Sequence, residues 1–299
     1  MAESEEGLIV GSMRIVVIEP HGFCAGVTNA LRKAQSLLSP SAPCTLHPAP
    51  VYCLHELVHN ELVVNDLKRL GMVFVESLNE VPEGATVLFS AHGVSPAVRA
   101  QAEERKLMVV DATCPFVEKV HKAAKKFASS GRQVVVIGNP DHAEVKGITG
   151  EVADAIVIKS VPHSPFPIPR SPFPIPRSPL GVVSQTTMNA DEVADVVEKL
   201  RGEYEVETMA EVCNATKARQ DAVKAFVGDA LLVLGSVNSS NTRRLCEVAK
   251  CAKVFRAGTL DEVKAIDFSG VSVLGVTSGA STPENFFTDV IEYLQTISV

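Results

Sequence analysis

Three cysteines occupy equivalent places in the sequence, because each follows a short β-branched run and precedes a helical pattern. They are Cys24, Cys114 and Cys213, at the ends of the segments RIVVIEPHGFC, LMVVDATC and YEVETMAEVC. Thiolates favour iron–sulfur clusters, zinc or copper, and an iron–sulfur cubane normally takes four of them. Three thiolates leave one iron open to a substrate oxygen, and the cluster also supplies electrons, which zinc does not. The pattern therefore predicts redox chemistry on an oxygenated substrate.

The other four cysteines lack this placement. The chain has seven cysteines in all, an odd number without the dense spacing of small secreted scaffolds, which favours a reducing compartment over a disulfide framework. A single cysteine is more often a buried apolar residue than a ligand, so the metal-site prediction depends on the threefold placement. We leave Cys44, Cys53, Cys246 and Cys251 outside the site and expect the last two to be packing residues.

Polar residues cluster in the other loops that follow strand patterns. These loops contain His59 and Asn60, Ser90 and His92, His142 and Glu144, Thr186 and Thr187, Asn238 to Asn241, and Ser278 and Ser281. Hydroxyls, amides, imidazoles and helix N-termini bind an anionic ligand without a basic field. Burial of Glu144 would raise the pKa of its carboxyl and let it act as a proton donor. Taken singly, the histidines and hydroxyls are equally explained as helix caps or packing residues, and Glu144 as a surface charge.

Strands and helices alternate along the chain, and one order of elements recurs three times. This pattern predicts an α/β fold of three modules with parallel sheets and right-handed crossovers. The modules span 13–107 with Cys24, 108–203 with Cys114, and 204–299 with Cys213 and a C-terminal helix. Every polar loop falls beyond the carboxyl end of a strand, where parallel sheets place ligands. A pseudo-threefold arrangement would bring the nine loops to a central cluster cavity.

A proline-rich segment at 162–179 interrupts the middle module. It contains SPFPIPR twice in tandem, and so much proline excludes a helix or a strand ladder. We predict an extended surface loop that the fold tolerates. Binding of this segment to a partner that recognises proline-rich sequences stays open as an alternative.

Length, charge and hydropathy limit the classes of function. The chain has 299 residues, 46% of them hydrophobic, and a net charge of −7, which suits an ordinary globular core and gives no field for nucleic acid. No apolar stretch approaches the roughly 18 residues of a membrane helix, and the acidic start does not resemble a signal peptide. No GxGxxG follows a strand pattern, so we expect no nicotinamide or flavin site in the chain itself.

Nine motifs in sequence order carry a resemblance to a known family. They are HGFCAGV, VHN, SAHGVSP, DATCPFV, DHAEVKG, SQTT, NATKARQ, GSVNSSNTRRL and TSGAS. From about Met13 to the C-terminus, the chain closely resembles the LytB family of 4-hydroxy-3-methylbut-2-enyl diphosphate reductases. The resemblance implies a reductive dehydroxylation, the last step of the non-mevalonate isoprenoid pathway. An allylic alcohol diphosphate loses its hydroxyl, takes up two electrons and a proton, and gives isopentenyl and dimethylallyl diphosphates.

The resemblance also implies a role for individual residues. Cys24, Cys114 and Cys213 match the ligands of one [4Fe–4S] cluster with an open apical iron. Glu144 matches the proton donor, and Thr186 its partner at the substrate hydroxyl. The contacts to the substrate diphosphate fall on His59, His92, Ser239, Ser240, Asn241 and Ser281, with His142 nearby. Two departures, the duplicated SPFPIPR and Asn214 in place of an expected aromatic residue, concern loop structure and packing rather than the reaction.

Because no GxGxxG follows a strand pattern, we expect an external electron donor, reduced ferredoxin or flavodoxin. The lack of a transit peptide predicts a bacterial cytoplasmic location, or a plastid if such a peptide has been removed. Two other functions stay open on the residues alone. One is a non-redox hydratase that uses the open iron only as a Lewis acid. The other is a non-catalytic sensor that holds zinc or an iron–sulfur cluster on the three thiolates.

Overall fold

The structure, a computed structural model, describes residues 8–10, 13–39, 50–159, 179–209 and 211–297. Cys44 and the predicted proline-rich segment, apart from Pro179, lie outside these residues. Within the described ranges, strands and helices alternate along most of the chain, as the sequence predicted.

The secondary structure of the described residues comprises thirteen strands, ten α-helices and one short 3₁₀ helix. The strands are β1 (Leu8–Val10), β2 (Met13–Val17), β3 (Val51–Leu54), β4 (Met72–Val75), β5 (Thr86–Phe89), β6 (Met108–Asp111), β7 (Gln133–Ile137), β8 (Ile156–Ile158), β9 (Leu180–Ser184), β10 (Val206–Met209), β11 (Ala230–Leu234), β12 (Lys253–Ala257) and β13 (Val273–Ser278). The helices are α1 (Ala25–Leu38), α2 (Glu61–Arg69), α3 (Pro96–Glu104), α4 (Pro115–Ser129), α5 (Ala143–Thr149), α6 (Ala190–Arg201), α7 (Asn214–Ala225), α8 (Ser240–Val248), α9 (Leu260–Lys264) and α10 (Glu284–Thr296), and the 3₁₀ helix is Leu78–Glu80.

The described strands form three sheets with one shared topology. Sheet 1 has the order β4-β3-β5-β6, sheet 2 the order β8-β7-β9-β10, and sheet 3 the order β12-β11-β13-β2, with β1 outside β2. Every described strand pair is parallel except β1 with β2. The recurring order of elements in the sequence thus corresponds to a recurring sheet order. The prediction of three α/β modules with parallel sheets is confirmed.

The sheets are offset from the thirds of the sequence by one strand. β6, which begins the second third, pairs with β5, while β10 pairs with β9 and β2 pairs with β13. The strand that leads to each cysteine therefore belongs to the sheet of the preceding third, counted cyclically. Alternation of strands and helices does not specify this pairing, because a strand can join the sheet before it or after it. The module boundaries at 13–107, 108–203 and 204–299 stay predictions.

The chain divides into two compact units. The first unit comprises Met1–Cys24, His59–Val63 and Asn214–Val299, and it contains sheet 3. The second unit comprises Ala25–Val58 and Val64–Cys213, and it contains sheets 1 and 2. Each unit therefore has at least one parallel sheet of its own around which to build a core.

The central strands β9 and β11 are buried along their whole length, as expected where helices cover both faces of a parallel sheet. All five residues of β9 and of β11 are buried. In the first unit, Phe287 and Val290 of α10 pack in one core with Leu232 of sheet 3. In the second unit, Val193 of α6 packs in a core with Val182 of sheet 2. These cores hold the carboxyl ends of the strands, and hence the polar loops, in place.

Candidate active site

The three predicted cysteine ligands lie at the N-termini of three long helices. α1, α4 and α7 begin at the residues that directly follow Cys24, Cys114 and Cys213, and they have 14, 15 and 12 residues. All three cysteine side chains are partly exposed. An N-terminus presents backbone N–H groups and the positive end of the helix dipole, which favour a negative charge placed there. The fold therefore places each of the three cysteines at the same kind of position, the N-terminus of a helix.

The backbone of each cysteine is held in the same way. The N–H of Cys24 donates to the carbonyl of Ala280 at 3.1 Å, that of Cys114 to Ala91 at 3.0 Å, and that of Cys213 to Thr186 at 3.1 Å. Each acceptor lies two residues beyond the end of a strand, β13, β5 or β9. The recurring hydrogen bond follows from the one-strand offset of the sheets, because that offset places each cysteine loop beside the last loop of the preceding third. The threefold equivalence predicted for the cysteines holds at the level of individual hydrogen bonds.

The described cysteines outside this set have different surroundings. Cys53 is fully buried in β3, and burial raises the pKa of its thiol to about 12. Burial also raises the pKa of Cys246, to about 11, and the pKa of Cys251. Cys246 and Cys251 pack against the apolar core under α8. Thiols that keep their proton in this way are poor metal ligands, in agreement with their expected packing role.

Glu144 is a buried carboxyl in the first turn of α5. It is 2% exposed, and the backbone N–H and the Oγ1 hydroxyl of Thr186 donate to its two oxygens at 2.7 Å and 3.0 Å. Burial raises the pKa of Glu144 to about 7, although the two hydrogen bonds from Thr186 act in the opposite direction. The structure thus joins the two residues predicted as catalytic, and it gives the carboxyl a proton to donate at neutral pH.

Two predicted histidines lie close to each other near the start of α5. His142 is the N-cap residue of α5, and its Nδ1 accepts a hydrogen bond from the backbone N–H of Glu144 at 3.2 Å. His92 lies 3.2 Å from the hydroxyl of Ser90 through its Nδ1. The two imidazole rings are edge to face, with centroids 5.4 Å apart. The capping explanation therefore applies to His142.

The loop that carries Cys114 is fixed by Asp111 at the end of β6. Its carboxylate accepts from the backbone N–H of Thr113 at 2.8 Å and pairs with Arg99 at 2.6 Å. Lys33 donates to its backbone carbonyl at 2.6 Å. Burial alone would raise the pKa of Asp111, but the hydrogen bonds from Thr113 and the charge of Arg99 hold it below its usual value. The carboxylate thus stays ionised and orders the residues before the cysteine.

In the first unit, the N-terminus of α8 carries three of the predicted diphosphate contacts. Ser239, Ser240 and Asn241 are all buried. Ser239 caps the helix by accepting from the backbone N–H of Thr242 at 3.2 Å. The capping explanation therefore applies to the NSSN sequence, because Ser239 is the N-cap residue of α8. Capping and ligand binding are compatible here, because the first N–H groups of a helix have no partner within it.

Asn241 connects three elements of the first unit. Its Oδ1 accepts from the backbone N–H of Ala280 at 3.0 Å, and its Nδ2 donates to the hydroxyl of Thr216 at 3.4 Å. Ala280 is also the residue whose carbonyl holds the backbone of Cys24. Next to it, the hydroxyl of Ser281 donates to the backbone carbonyl of His59 at 3.2 Å. The structure thus joins Ser281 with the His59 loop, and Asn241 with the loop behind Cys24.

Sequence reasoning did not select Arg219, which the structure places behind Cys24. This buried arginine of α7 donates to the carbonyls of Gly22 at 2.8 Å and His21 at 3.4 Å. One signal was present in the sequence, because Thr216, Gln220 and Val223 are buried at helical spacing and Arg219 falls on the same face. A buried arginine needs hydrogen-bond acceptors for its guanidinium group, and here backbone carbonyls supply them.

Comparison with known proteins agrees with this arrangement. The sequence profile described as LytB protein matches residues 15–295. A 4-hydroxy-3-methylbut-2-enyl diphosphate reductase of Anaplasma marginale is 40% identical over 96% of this chain and 84% of its own length. One of Nitrosomonas europaea is also 40% identical, over 96% of this chain and 88% of its own. The solved structure of the Plasmodium falciparum E-1-hydroxy-2-methyl-but-2-enyl-4-diphosphate reductase superposes with a TM-score of 0.82 at 32% identity, over 94% of this chain and 88% of that one.

Three parallel-sheet modules, together with these relatives, define the class of protein as an α/β oxidoreductase. No helix in the described residues is long and apolar enough to span a bilayer. The chain belongs to the LytB family. The family match covers nearly the whole chain, and it includes the three cysteines at helix N-termini together with the polar loops.

Proposed function

We propose that this chain reduces 4-hydroxy-3-methylbut-2-enyl diphosphate to isopentenyl and dimethylallyl diphosphates, the last step of the non-mevalonate pathway. The curated relatives carry the name of that reductase. The reaction removes an allylic hydroxyl as water and consumes two electrons and two protons, one for the water and one for the carbon skeleton. A proton donor at the hydroxyl is therefore essential, because hydroxide itself leaves carbon poorly.

The main structural support for the proposal is the buried carboxyl of Glu144, whose pKa is raised. A buried carboxyl whose pKa is about 7 is about half protonated at pH 7, so a large fraction of the molecules hold the proton that the leaving hydroxyl needs. Thr186 holds both carboxyl oxygens, and we assign its hydroxyl to the substrate hydroxyl as well. After proton transfer, the two hydrogen bonds from Thr186 stabilise the carboxylate that remains.

The donor set fits an iron–sulfur cluster with three protein ligands. We assign Cys24, Cys114 and Cys213 as the ligands, because they share one placement at helix N-termini and one backbone hydrogen bond. A fourth equivalent cysteine does not occur in the described residues, which suits a [4Fe–4S] cluster with an open apical iron rather than a closed four-thiolate site. When bound, such a cluster supplies the electrons and a Lewis acid for the substrate oxygen.

The substrate diphosphate is assigned to neutral donors. These are His59, His92, His142, Ser239, Ser240, Asn241 and Ser281. The N-terminus of α8 adds backbone N–H groups and a helix dipole of the right sign for an anion. Binding by imidazoles, hydroxyls and amides suits a chain whose net charge is −7. The electron donor is a reduced ferredoxin or flavodoxin, and the location is the bacterial cytoplasm, with a plastid as the alternative.

The test is reduction of the allylic diphosphate by anaerobically reconstituted protein with reduced methyl viologen as electron source. Wild type, Glu144→Gln and Cys213→Ser are compared, with Cys251→Ser as the matched cysteine control. We expect turnover in the wild type and the control. Glu144→Gln should lose on the order of 10²-fold or more in kcat while it keeps its cluster absorbance. Cys213→Ser should lose the cluster and the activity together.

Other outcomes would point to the alternative functions. A wild-type protein with an intact cluster that does not reduce the substrate would overturn the assignment. A cluster that keeps one oxidation state through turnover of another substrate would indicate a hydratase. Zinc without iron or acid-labile sulfide would indicate a sensor or structural metal protein.

A further inference from the structure

His121 is a buried histidine for which the proposed reaction has no use. It lies on α4, two turns after Cys114, and its side chain is 9% exposed. Its Nδ1 lies 2.8 Å from a carboxylate oxygen of Glu151, which is itself 5% exposed and paired with Lys125 at 3.2 Å. Because a carboxylate only accepts, Nδ1 carries the proton of this hydrogen bond. The ring is therefore fixed in position at one edge.

The other edge of the ring lies against two glycines. A Cβ atom added at Gly93 would stand 3.3 Å from His121 Nε2, and one added at Gly147 would stand 3.1 Å from its Cε1. Nε2 has no hydrogen-bond partner in the described part of the chain. Gly93 also has a φ of +75°, which a residue with a side chain adopts at a cost. Only glycine lets both backbones approach the ring this closely without displacement.

Both glycines belong to segments that carry predicted catalytic or substrate-binding residues. Gly93 directly follows His92, and Gly147 lies on α5 one turn after Glu144. The same two segments meet again nearby, because a Cβ at Gly150 would stand 2.4 Å from Cβ of Ser95. The backbones that carry His92 and Glu144 are thus packed directly together, since a Cβ at Gly147 would also stand 3.6 Å from the backbone carbonyl carbon of Gly93, and the His121 ring lies against both glycines at this junction.

We propose that His121 is a positioning residue that sets the separation of the His92 loop and α5, and so the place of His92 relative to Glu144. The proposal rests on the proposed function for its catalytic consequence. Packed interiors transmit volume changes, because few voids exist to absorb them. Displacement of a reacting group by about 1 Å can cost 10²-fold in rate. The Glu151 and Lys125 charges hold the ring in one orientation. Because both glycines contact the ring, its volume then determines how closely the His92 loop and α5 pack.

The first test adds volume on the glycine side of the ring. Gly147→Ala places a methyl group 3.1 to 3.2 Å from the ring atoms of His121, so α5 must move by a few tenths of an ångström. Alanine favours helix more than glycine does, so an unstrained exchange would raise stability. We expect kcat to fall by about tenfold, with cluster absorbance retained and KM changed far less. The matched control is Gly202→Ala, whose nearest neighbours stand 3.4 Å away or more at the end of α6.

The second test removes volume on the histidine side. His121→Asn keeps a donor for Glu151 but shortens the side chain, so the methyl of Gly147→Ala regains room in the double variant. We expect the double variant to recover at least about threefold in kcat over Gly147→Ala alone. In full-length protein with and without cluster, we expect hydrogen exchange in 143–150 to rise in His121→Asn and to stay unchanged in Gly202→Ala.

The outcomes separate the two proposals. A Gly147→Ala variant with the wild-type kcat would overturn the positioning role. So would a double variant whose kcat is no higher than the product of the two single effects predicts. If the wild type itself fails to reduce the diphosphate, the proposed function fails, and hydrogen exchange still decides the packing role. Unchanged exchange in 143–150 in His121→Asn would then reject it.

Discussion

At the scale of single residues, two opposing effects act on the Glu144 carboxyl. Burial disfavours the carboxylate, whereas the hydrogen bonds from the N–H and hydroxyl of Thr186 favour it. Burial is the larger effect, so the pKa rises from 4.5 to about 7. The same geometry that lets the residue donate a proton also prepares a partner for the carboxylate it becomes. A surface glutamate would have neither property.

The pH dependence of turnover follows from this pKa. If the protonated carboxyl is the donor, as proposed, kcat should be steady below about pH 7 and fall about tenfold per unit above it. Reduced methyl viologen suits this measurement, since its one-electron couple does not involve a proton. The residual activity of Glu144→Gln should lack this alkaline limb. A wild-type profile that stays flat to pH 9 would show that another group supplies the proton.

The stability of the cluster-free protein should depend on the same group. The folded-state pKa of about 7 exceeds the ordinary value of 4.5, so Glu144 favours the folded state below pH 4.5 and loses that contribution as pH rises through 7. Glu144→Gln has no charge to bury. Its free energy of unfolding relative to wild type should therefore increase between pH 5 and pH 8, by on the order of 2 to 3 kcal/mol.

Urea unfolding at the two pH values measures this difference, with the exposed Glu292→Gln as control. The control should track the wild type at both values to within about 0.5 kcal/mol. If Glu144→Gln also tracks the wild type, the carboxyl titrates alike in the folded and unfolded protein, and burial does not raise its pKa.

Some of these residues could be selected from the sequence and others could not. Resemblance to the LytB family paired Glu144 with Thr186, and the structure places the two in direct hydrogen bonding, while their catalytic roles stay predictions. His121 gave no signal, because a single histidine on a helix has no informative spacing. Its surroundings are formed by Gly93 and Gly147, which are distant from it in the sequence, so only the fold brings the three together.

At the scale of secondary-structure elements, the N-terminus of α8 depends on one amide side chain. Asn241 accepts from Ala280 and donates to Thr216, and it is 3% exposed. Removing one partner of a buried hydrogen bond leaves the other unsatisfied. Asn241→Ala should lower the free energy of unfolding by about 1 to 3 kcal/mol, and it should raise KM because the loop of Ser281 loses its support.

Thermal or urea unfolding and steady-state kinetics check this expectation, and the exposed Asn238→Ala in the same motif is the control. The control should change the free energy of unfolding by less than about 0.5 kcal/mol. Equal stability and KM in both variants would mean that Asn241 does not support the loop.

Most elements could be predicted from the sequence, whereas their pairing could not. Apolar runs such as ALLVL, followed by amphipathic helices, identify strands and helices because burial sets their periodicity. The pairing of β6 with β5, like that of β10 with β9 and of β2 with β13, cannot be recognised from the local hydrophobic pattern of the sequence. That pairing is nevertheless what places the N–H of each cysteine against a carbonyl of the preceding loop.

At the scale of the whole molecule, one plan is used three times. Each sheet has the same strand order, and each repeat contributes one cysteine at a helix N-terminus and one carbonyl that fixes it. Three proposed ligands held in the same way should be of equal importance to the proposed cluster. Cys53, which is buried in a strand and has its thiol pKa raised to about 12, does not share this arrangement and cannot replace a lost ligand.

Replacement of each ligand in turn tests this equivalence. Cys24→Ser, Cys114→Ser and Cys213→Ser should each lower iron from about four atoms per chain to below about one after anaerobic reconstitution, with acid-labile sulfide falling in parallel. Cys251→Ser should keep the wild-type content. Far-UV circular dichroism should stay unchanged in all four variants, because the apolar cores under the sheets do not contain the three ligands. A variant among the three that retains four irons would remove that cysteine from the ligand set and break the threefold assignment.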